Sequence, residues 1–162
     1  MTWKKSLWFG LFVLATLLFV LSRFYFNIQN EHWRDNTLAV QAAYEKTIMT
    51  KANKVESFYG DVPMQIVYGE DKIGQQVIVW VTEEDVHSEM AAEAFTLEQI
   101  RQTMLRKAPD AELLRIMPGK LGGDYVWEVF YKRNEESGVR HYYDYYSFKD
   151  GTYLDTWRLS LN

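Results

Sequence analysis

The run Leu7–Leu21, Leu-Trp-Phe-Gly-Leu-Phe-Val-Leu-Ala-Thr-Leu-Leu-Phe-Val-Leu, constrains this chain more than any other stretch. It holds no charge and a single hydroxyl, and eleven of its fifteen positions are Leu, Phe or Val. On an insertion scale those eleven favour a bilayer by about 3 to 7 kcal/mol. Fifteen helical residues span only about 22 Å, short of a ~30 Å hydrocarbon core. Extending the helix through Ser22 to Phe26 reaches that thickness. Arg23 then lies near one end, where its stem can snorkel to the headgroups. Trp3, Trp8, Phe24, Tyr25 and Phe26 fall where an aromatic belt belongs. The expectation is one membrane-spanning signal-anchor helix over residues 7–26, preceded by a short tail, residues 1–6.

Lys4 and Lys5 precede the run, Arg23 follows it, and no acidic residue occurs before Glu31. This bias puts residues 1–6 in the cytoplasm and the C-terminal domain outside the cell. A cleaved signal peptide is the competing reading, but Ser-Arg-Phe-Tyr-Phe-Asn offers no small-x-small cleavage site. The chain has no cysteine, which removes a lipoprotein anchor, disulfide staples, thiolate metal sites and cysteine nucleophiles at once. Setting aside Lys4 and Lys5 from the 18 basic residues leaves 16 against 22 acidic ones, a formal charge of −6. Such a surface is a poor match for nucleic acid.

Residues 31–52 contain neither Pro nor Gly and predict a helix with an alanine-rich face, Ala39, Ala42 and Ala43, extending the membrane helix as a short stalk. The period then changes. Val55–Tyr59, Met64–Gly69 and Gln76–Thr82 predict three strands, separated by Gly60–Pro63 and by a hairpin loop at Glu70–Gly74. Glu83–Glu93 is acidic and polar and predicts a connector. Thr96-Leu97-Glu98-Gln99 has the form of a capping box, and the helix it opens runs to Pro109 with Leu97, Ile100, Met104 and Leu105 along one face. Four more strands follow at Glu112–Met117, Asp124–Arg133, Val139–Phe148 and Tyr153–Ser160. Asp150-Gly151 is the clearest hairpin turn among them.

A helix followed by strands thus occurs twice. Gln76-Val-Ile-Val-Trp-Val-Thr82 and Asp124-Tyr-Val-Trp-Glu-Val-Phe130 share a phrase, which predicts an internal duplication about fifty residues apart. The fold class expected is α+β. Two tandem units, residues 27–85 with a helix and three strands and residues 86–162 with a helix and four strands, each lay a helix on an antiparallel sheet.

Chemistry-bearing constellations are few. His32, His87 and His141 sit at no helical ligand spacing with one another or with a carboxylate. Glu83-Glu84-Asp85 with His87 and Glu89 reads as a solvated connector, because nothing apolar nearby would desolvate it. No nucleophile elbow, phosphate loop or nucleotide fingerprint occurs. No catalytic residue, cofactor, metal or small-molecule substrate is therefore expected. The sharper stretch is Arg140-His-Tyr-Tyr-Asp-Tyr-Tyr-Ser-Phe148. As a strand it places Tyr142, Asp144, Tyr146 and Phe148 on one side and His141, Tyr143, Tyr145 and Ser147 on the other. These rings either pair across strands with Trp127, Tyr131, Tyr153 and Trp157 or form a protein-binding surface. The candidate surface is Tyr142, Tyr143, Tyr145, Tyr146, Trp127 and Trp157.

The second half, with Thr96–Lys107, Tyr125–Lys132, His141–Phe148 and the closing Lys149-Asp-Gly-Thr-Tyr-Leu154, resembles a PepSY domain. The arrangement as a whole resembles the TseB-like (YpmB-like) proteins of Gram-positive bacteria, Val-Trp-Val and Val-Trp-Glu-Val-x-Tyr carrying most of the match. That resemblance implies tandem PepSY-like, cystatin-type units. It also implies a non-enzymatic cell-envelope regulator acting on a penicillin-binding protein during wall elongation, with no active site to carry over. PepSY modules elsewhere imply the alternative, an inhibitor or chaperone of an envelope peptidase.

Overall fold

The computed structural model describes the backbone of residues 3–159 and the side chains of residues 12–23 and 35–159. The chain divides into a first unit, residues 1–38, and a second, residues 39–162. Helix α1 runs Trp3–Lys46. Within the first unit Phe12, Val13, Leu14 and Leu17–Leu21 leave half or more of each side chain uncovered. Among the described residues no helix is long and apolar enough to cross a membrane. Of the expected span 7–26, the side chains of 7–11 and 24–26 lie outside the described residues.

The second unit opens on the last turns of α1. Ala39 and Ala43, four apart on one face, are both buried. Small side chains there let the helix lie close on Met49, Val67, Val77 and Val79. The helix stops six residues before the expected Ala52. Thr47 ends it by turning its hydroxyl back to the Ala43 carbonyl (2.6 Å), while the Met49 N–H donates to the Thr47 hydroxyl (3.1 Å). Strand pairing then claims the segment that reads as helix.

Two four-stranded antiparallel meanders follow. The first contains β1 (Met49–Tyr59), β2 (Pro63–Asp71), β3 (Gln76–Val81) and β4 (Val86–Met90), in that spatial order. The expected connector 83–93 is therefore corrected: it contains the edge strand β4 and a single 3-10 turn, Ala91–Glu93. The first sheet gains a fourth strand, and its end moves from residue 85 to Met90. Helix α2 (Leu97–Lys107) comes next, then β5 (Glu112–Leu121), β6 (Asp124–Glu135), β7 (Gly138–Ser147) and β8 (Tyr153–Leu159), again in sequence order.

Local chemistry explains the punctuation. The Thr96 hydroxyl accepts from the Gln99 N–H (3.2 Å) and the Gln99 side-chain oxygen accepts from the Thr96 N–H (2.8 Å), a reciprocal cap. Glu98 in the first turn and Arg106 and Lys107 in the last complement the helix dipole. Between β7 and β8 the Asp150 carboxylate accepts from the Thr152 N–H (3.0 Å), and Gly151 adopts φ +72°.

The shared phrase proves not to be topologically equivalent. Gln76–Val81 is the third strand of its sheet, whereas Asp124–Phe130 belongs to the second strand of the other. Their likeness follows from both being interior strands that need apolar residues on each face. In β3, Val77 and Val79 pack under α1, while Ile78 and Trp80 enter the main core. That core joins both sheets and α2 through Phe58, Ile66, Trp80, Ile100, Met104, Trp127, Tyr146 and Phe148 among others. Trp80 meets Phe148 edge-on (4.8 Å) and Tyr125 at 5.0 Å, and His87 of β4 stacks on Tyr125 (4.0 Å, 13°).

The β1–β2 loop is tied to the second sheet, since the Gly122 N–H donates to Asp61 (2.6 Å). Phe58 lies over Gly119 of β5, so a Cβ at 119 would fall on its ring. Phe58 is buried and cannot swing away without emptying the core. Gly119→Ala is expected to cost about 1–3 kcal/mol, read as a lower urea midpoint with an unchanged slope.

Candidate interaction surface

The second sheet has two unlike faces. Alternation along β6 and β7 sends Trp127, Val129, Tyr131, Tyr142, Asp144 and Tyr146 towards α2. Here aromatic pairing is dense: Tyr131 stacks on Tyr142 (5.3 Å), Trp127 on Phe148 (5.2 Å), and Tyr146 meets Tyr153 edge-on (5.8 Å). Asp144 is completely buried at its centre. It accepts from Lys107 Nζ (2.8 Å), the Thr156 hydroxyl (2.6 Å), and the Tyr131 and Tyr146 hydroxyls (3.2 and 3.3 Å). Lys107 in turn lies over the Tyr153 ring at 4.0 Å. This cluster pins the C-terminal end of α2 to the sheet.

The opposite, outer face carries Val126, Glu128, Phe130 and Lys132 from β6, and Val139, His141, Tyr143 and Tyr145 from β7. Glu128, almost fully buried, is held by Arg115 Nη2 (2.6 Å) and accepts from the Tyr145 hydroxyl (3.3 Å). Both buried carboxylates are thus engaged by partners of their own, and they point to opposite faces. Beyond Glu128 the face opens to solvent. Phe130 stacks on Tyr143 (4.7 Å) and on His141 (5.6 Å), and Trp157 meets Tyr145 edge-on (5.2 Å) while remaining 47% exposed. Val139 and Leu159 complete an apolar, aromatic patch at that end.

The six expected surface residues therefore separate. Trp127, Tyr145 and Tyr146 are buried, and as contact residues they are corrected to packing: Trp127 and Tyr146 lie in the core beneath α2, and Tyr145 is closed over by Trp157 and bonded to Glu128. Tyr142 is half-buried on the α2 side, with its hydroxyl on Glu135. Tyr143 and Trp157 share the open outer face. Phe130, His141, Val139 and Leu159 join them there. They were legible only as strand residues of the right parity, because nothing in the sequence says which side α2 covers.

The acidic run 83–85 lines, with Asp61 and Lys120, a groove of about 540 Å³. His87 and Glu89 are hydrogen-bonded (2.9 Å), and His87 stacks on Tyr125 while its side chain stays 32% exposed, so the connector reading is corrected here to a partly packed one. Among the described residues no group of three or more His, Cys, Asp or Glu is placed to hold a metal ion.

Six tyrosines are shifted upward, four of them strongly. In those four burial comes first, reinforced by the carboxylate beside it: Glu56 for Tyr68, Asp144 for Tyr131 and Tyr146, Glu128 for Tyr145. In the unfolded chain they ionise near pH 10, so above that pH the unfolded state binds fewer protons than the folded one. Stability is full below pH ~10 and falls as pH rises past it. The expected result is a cooperative rise in tyrosinate absorbance coinciding with loss of near-ultraviolet dichroism. Gradual titration around pH 10 with dichroism intact would contradict it.

Fold and surface define a class: a small α+β domain of two helix-on-meander repeats, with saturated buried carboxylates and an aromatic patch on an uncovered sheet face. Residues 39–82, the end of α1 with β1 to β3, match the family model of the cell wall elongation regulator TseB-like domain. The solved YpmB protein from Bacillus subtilis has a similar fold, at a TM-score of 0.67 and 21% identity, covering 76% of this chain and 96% of that one. No curated protein sequence matches. Residues 39–82 are thus similar to the TseB-like domain, and the chain shares the fold of YpmB.

Proposed function

We propose that this protein is a non-enzymatic, membrane-anchored regulator of peptidoglycan synthesis during cell elongation, acting outside the cell by binding a penicillin-binding protein. The observation carrying the cell-wall role is the TseB-like match over 39–82. Anchoring by residues 7–26, N-terminus in the cytoplasm, is supported by the uncharged apolar run and by the uncovered side chains of Phe12–Leu21. The two helix-and-sheet repeats read as PepSY-like, cystatin-type modules. Contact is assigned to the outer face, where Tyr143 and Trp157 supply stiff rings at low entropy cost. Tethering both partners to one membrane raises their effective concentration, so a modest interface suffices.

The test places a photo-crosslinking amino acid at Tyr143 and, separately, at Trp157 of the full chain in intact membranes. Recovery of a penicillin-binding protein at both is the expected result. Recovery of an envelope peptidase alone would replace this reading with the inhibitor one, and recovery of neither would remove the outer face as the working surface.

A further inference from the structure

Each sheet ends in two edge strands, and three of the four are blunted. β1 has register breaks at Met49/Lys51 and Ala52/Lys54 and carries Lys51, Lys54 and Glu56. β4 is five residues long and bears the His87–Glu89 pair. β5 breaks register between Leu113 and Arg115 and contains Pro118. Bulges, charges, proline and shortness are the usual devices that keep an edge from pairing with another chain.

β8 is different. From Asp155 to Leu159 it runs in unbroken register with Tyr145 to His141, its one irregularity falling earlier, at Leu154. It contains no proline or lysine, and Tyr153, Leu154, Trp157 and Leu159 are each 39–49% exposed. Among the described residues no strand pairs with its outer side. Its guards are two single charges, Asp155 and Arg158, and Asp155 accepts from the Thr156 N–H (2.8 Å) and from Trp157 Nε1 (2.7 Å).

We propose that the β8 edge is completed by an extended, antiparallel segment of a partner polypeptide carrying an acidic residue opposite Arg158 and a basic one opposite Asp155. This deepens the binding reading above and rests on it: Trp157 and Leu159 belong at once to the open outer face and to this edge. An unpaired run of backbone donors and acceptors is completed by another strand, which supplies affinity through the main chain while alternate side chains supply specificity. The charges argue against a second copy as the occupant. Two β8 strands related by a two-fold axis pair only residues of the same parity, because paired side chains must share a face. Asp155 and Arg158 differ in parity, so self-pairing never sets them opposite each other. A foreign strand meets both charges, each opposite-charge pair adding to the main-chain bonds.

The experiment uses the full chain in intact membranes, with a photo-crosslinking amino acid placed in turn at Leu154, Leu159, Tyr143 and, as control, Ile73. Adducts are mapped by mass spectrometry, and amide exchange across residues 155–159 is compared with and without the crosslinked partner. Expected are adducts from Leu154 and Leu159 on one short partner segment, in reversed order, none from Ile73, and at least tenfold slower exchange in β8. Adducts joining two copies of this chain would overturn the inference in favour of self-pairing. Adducts from Tyr143 without any from Leu154 or Leu159, or with unchanged β8 exchange, would overturn strand addition and leave the binding reading standing. Adducts from none of these positions would overturn both.

Discussion

Replacing Trp80 by alanine is expected to lower the stability of the folded domain by about 3–5 kcal/mol, the largest effect of any single substitution here. Trp80 projects from the first sheet into the core that the two sheets share and is 2% exposed. It meets Phe148 and Tyr125 of the second repeat, and His87 stacks on the Tyr125 ring. Truncation removes the indole and leaves a cavity whose walls come from two separately hydrogen-bonded sheets, which cannot collapse without shifting one against the other. Trp80→Phe should cost far less. The indole Nε1–H is buried with no hydrogen-bond partner, so its removal relieves part of the loss that the smaller ring incurs. Urea unfolding of the full chain in a membrane mimetic, followed by near-ultraviolet dichroism, measures both. Equal losses for the two variants would show that the aromatic contacts are not what joins the repeats.

Asp144→Ala should destabilise by about 3 kcal/mol, through a different mechanism. The carboxylate collects four donors on the buried face of the second sheet. Without it the Tyr131 and Tyr146 hydroxyls lose their acceptor inside the core, at about 1–3 kcal/mol for each group left unsatisfied. Lys107 contributes less to that loss, since its side chain is 39% exposed and can turn to water. The expected signature is local as well as global. Amides in the last turn of α2 exchange faster, because Lys107 no longer ties that end to β7. Asp144→Asn keeps acceptors for two hydroxyls and should recover part of the stability. No loss in either variant would mean that packing alone places α2.

Much of this architecture was legible before any coordinates. The capping box at Thr96, the Asp150-Gly151 turn and the apolar run of β3 are local signals with local causes, and each element appears where its chemistry puts it. β4 was illegible for an equally physical reason. In Val-His-Ser-Glu-Met only Val86 and Met90 are apolar, with Ser88 between them on that face, and pairing with the donors and acceptors of β3 makes it a strand. The end of α1 lies earlier than the sequence alone indicates, because Thr50–Ala52, which tolerate a helix, fall in the strand that β2 pairs with. At the candidate surface, alternation along β7 separated Tyr142 and Tyr146 from Tyr143 and Tyr145. It could not say that α2 covers the first pair, nor that Trp157 and Glu128 enclose Tyr145. Those facts depend on residues far away in the chain.

The proposed contact is between the outer face of the second sheet and a penicillin-binding protein. Its most direct measurement is the affinity of the full chain, in nanodiscs, for the penicillin-binding protein that crosslinking identifies, compared with the Tyr143→Ala/Trp157→Ala double variant and with Ile73→Ala as control. Expected is at least a tenfold weakening for the double variant, about 1.4 kcal/mol, with Ile73→Ala unchanged. Equal affinities for all three, or no measurable binding by the unaltered chain, would contradict it.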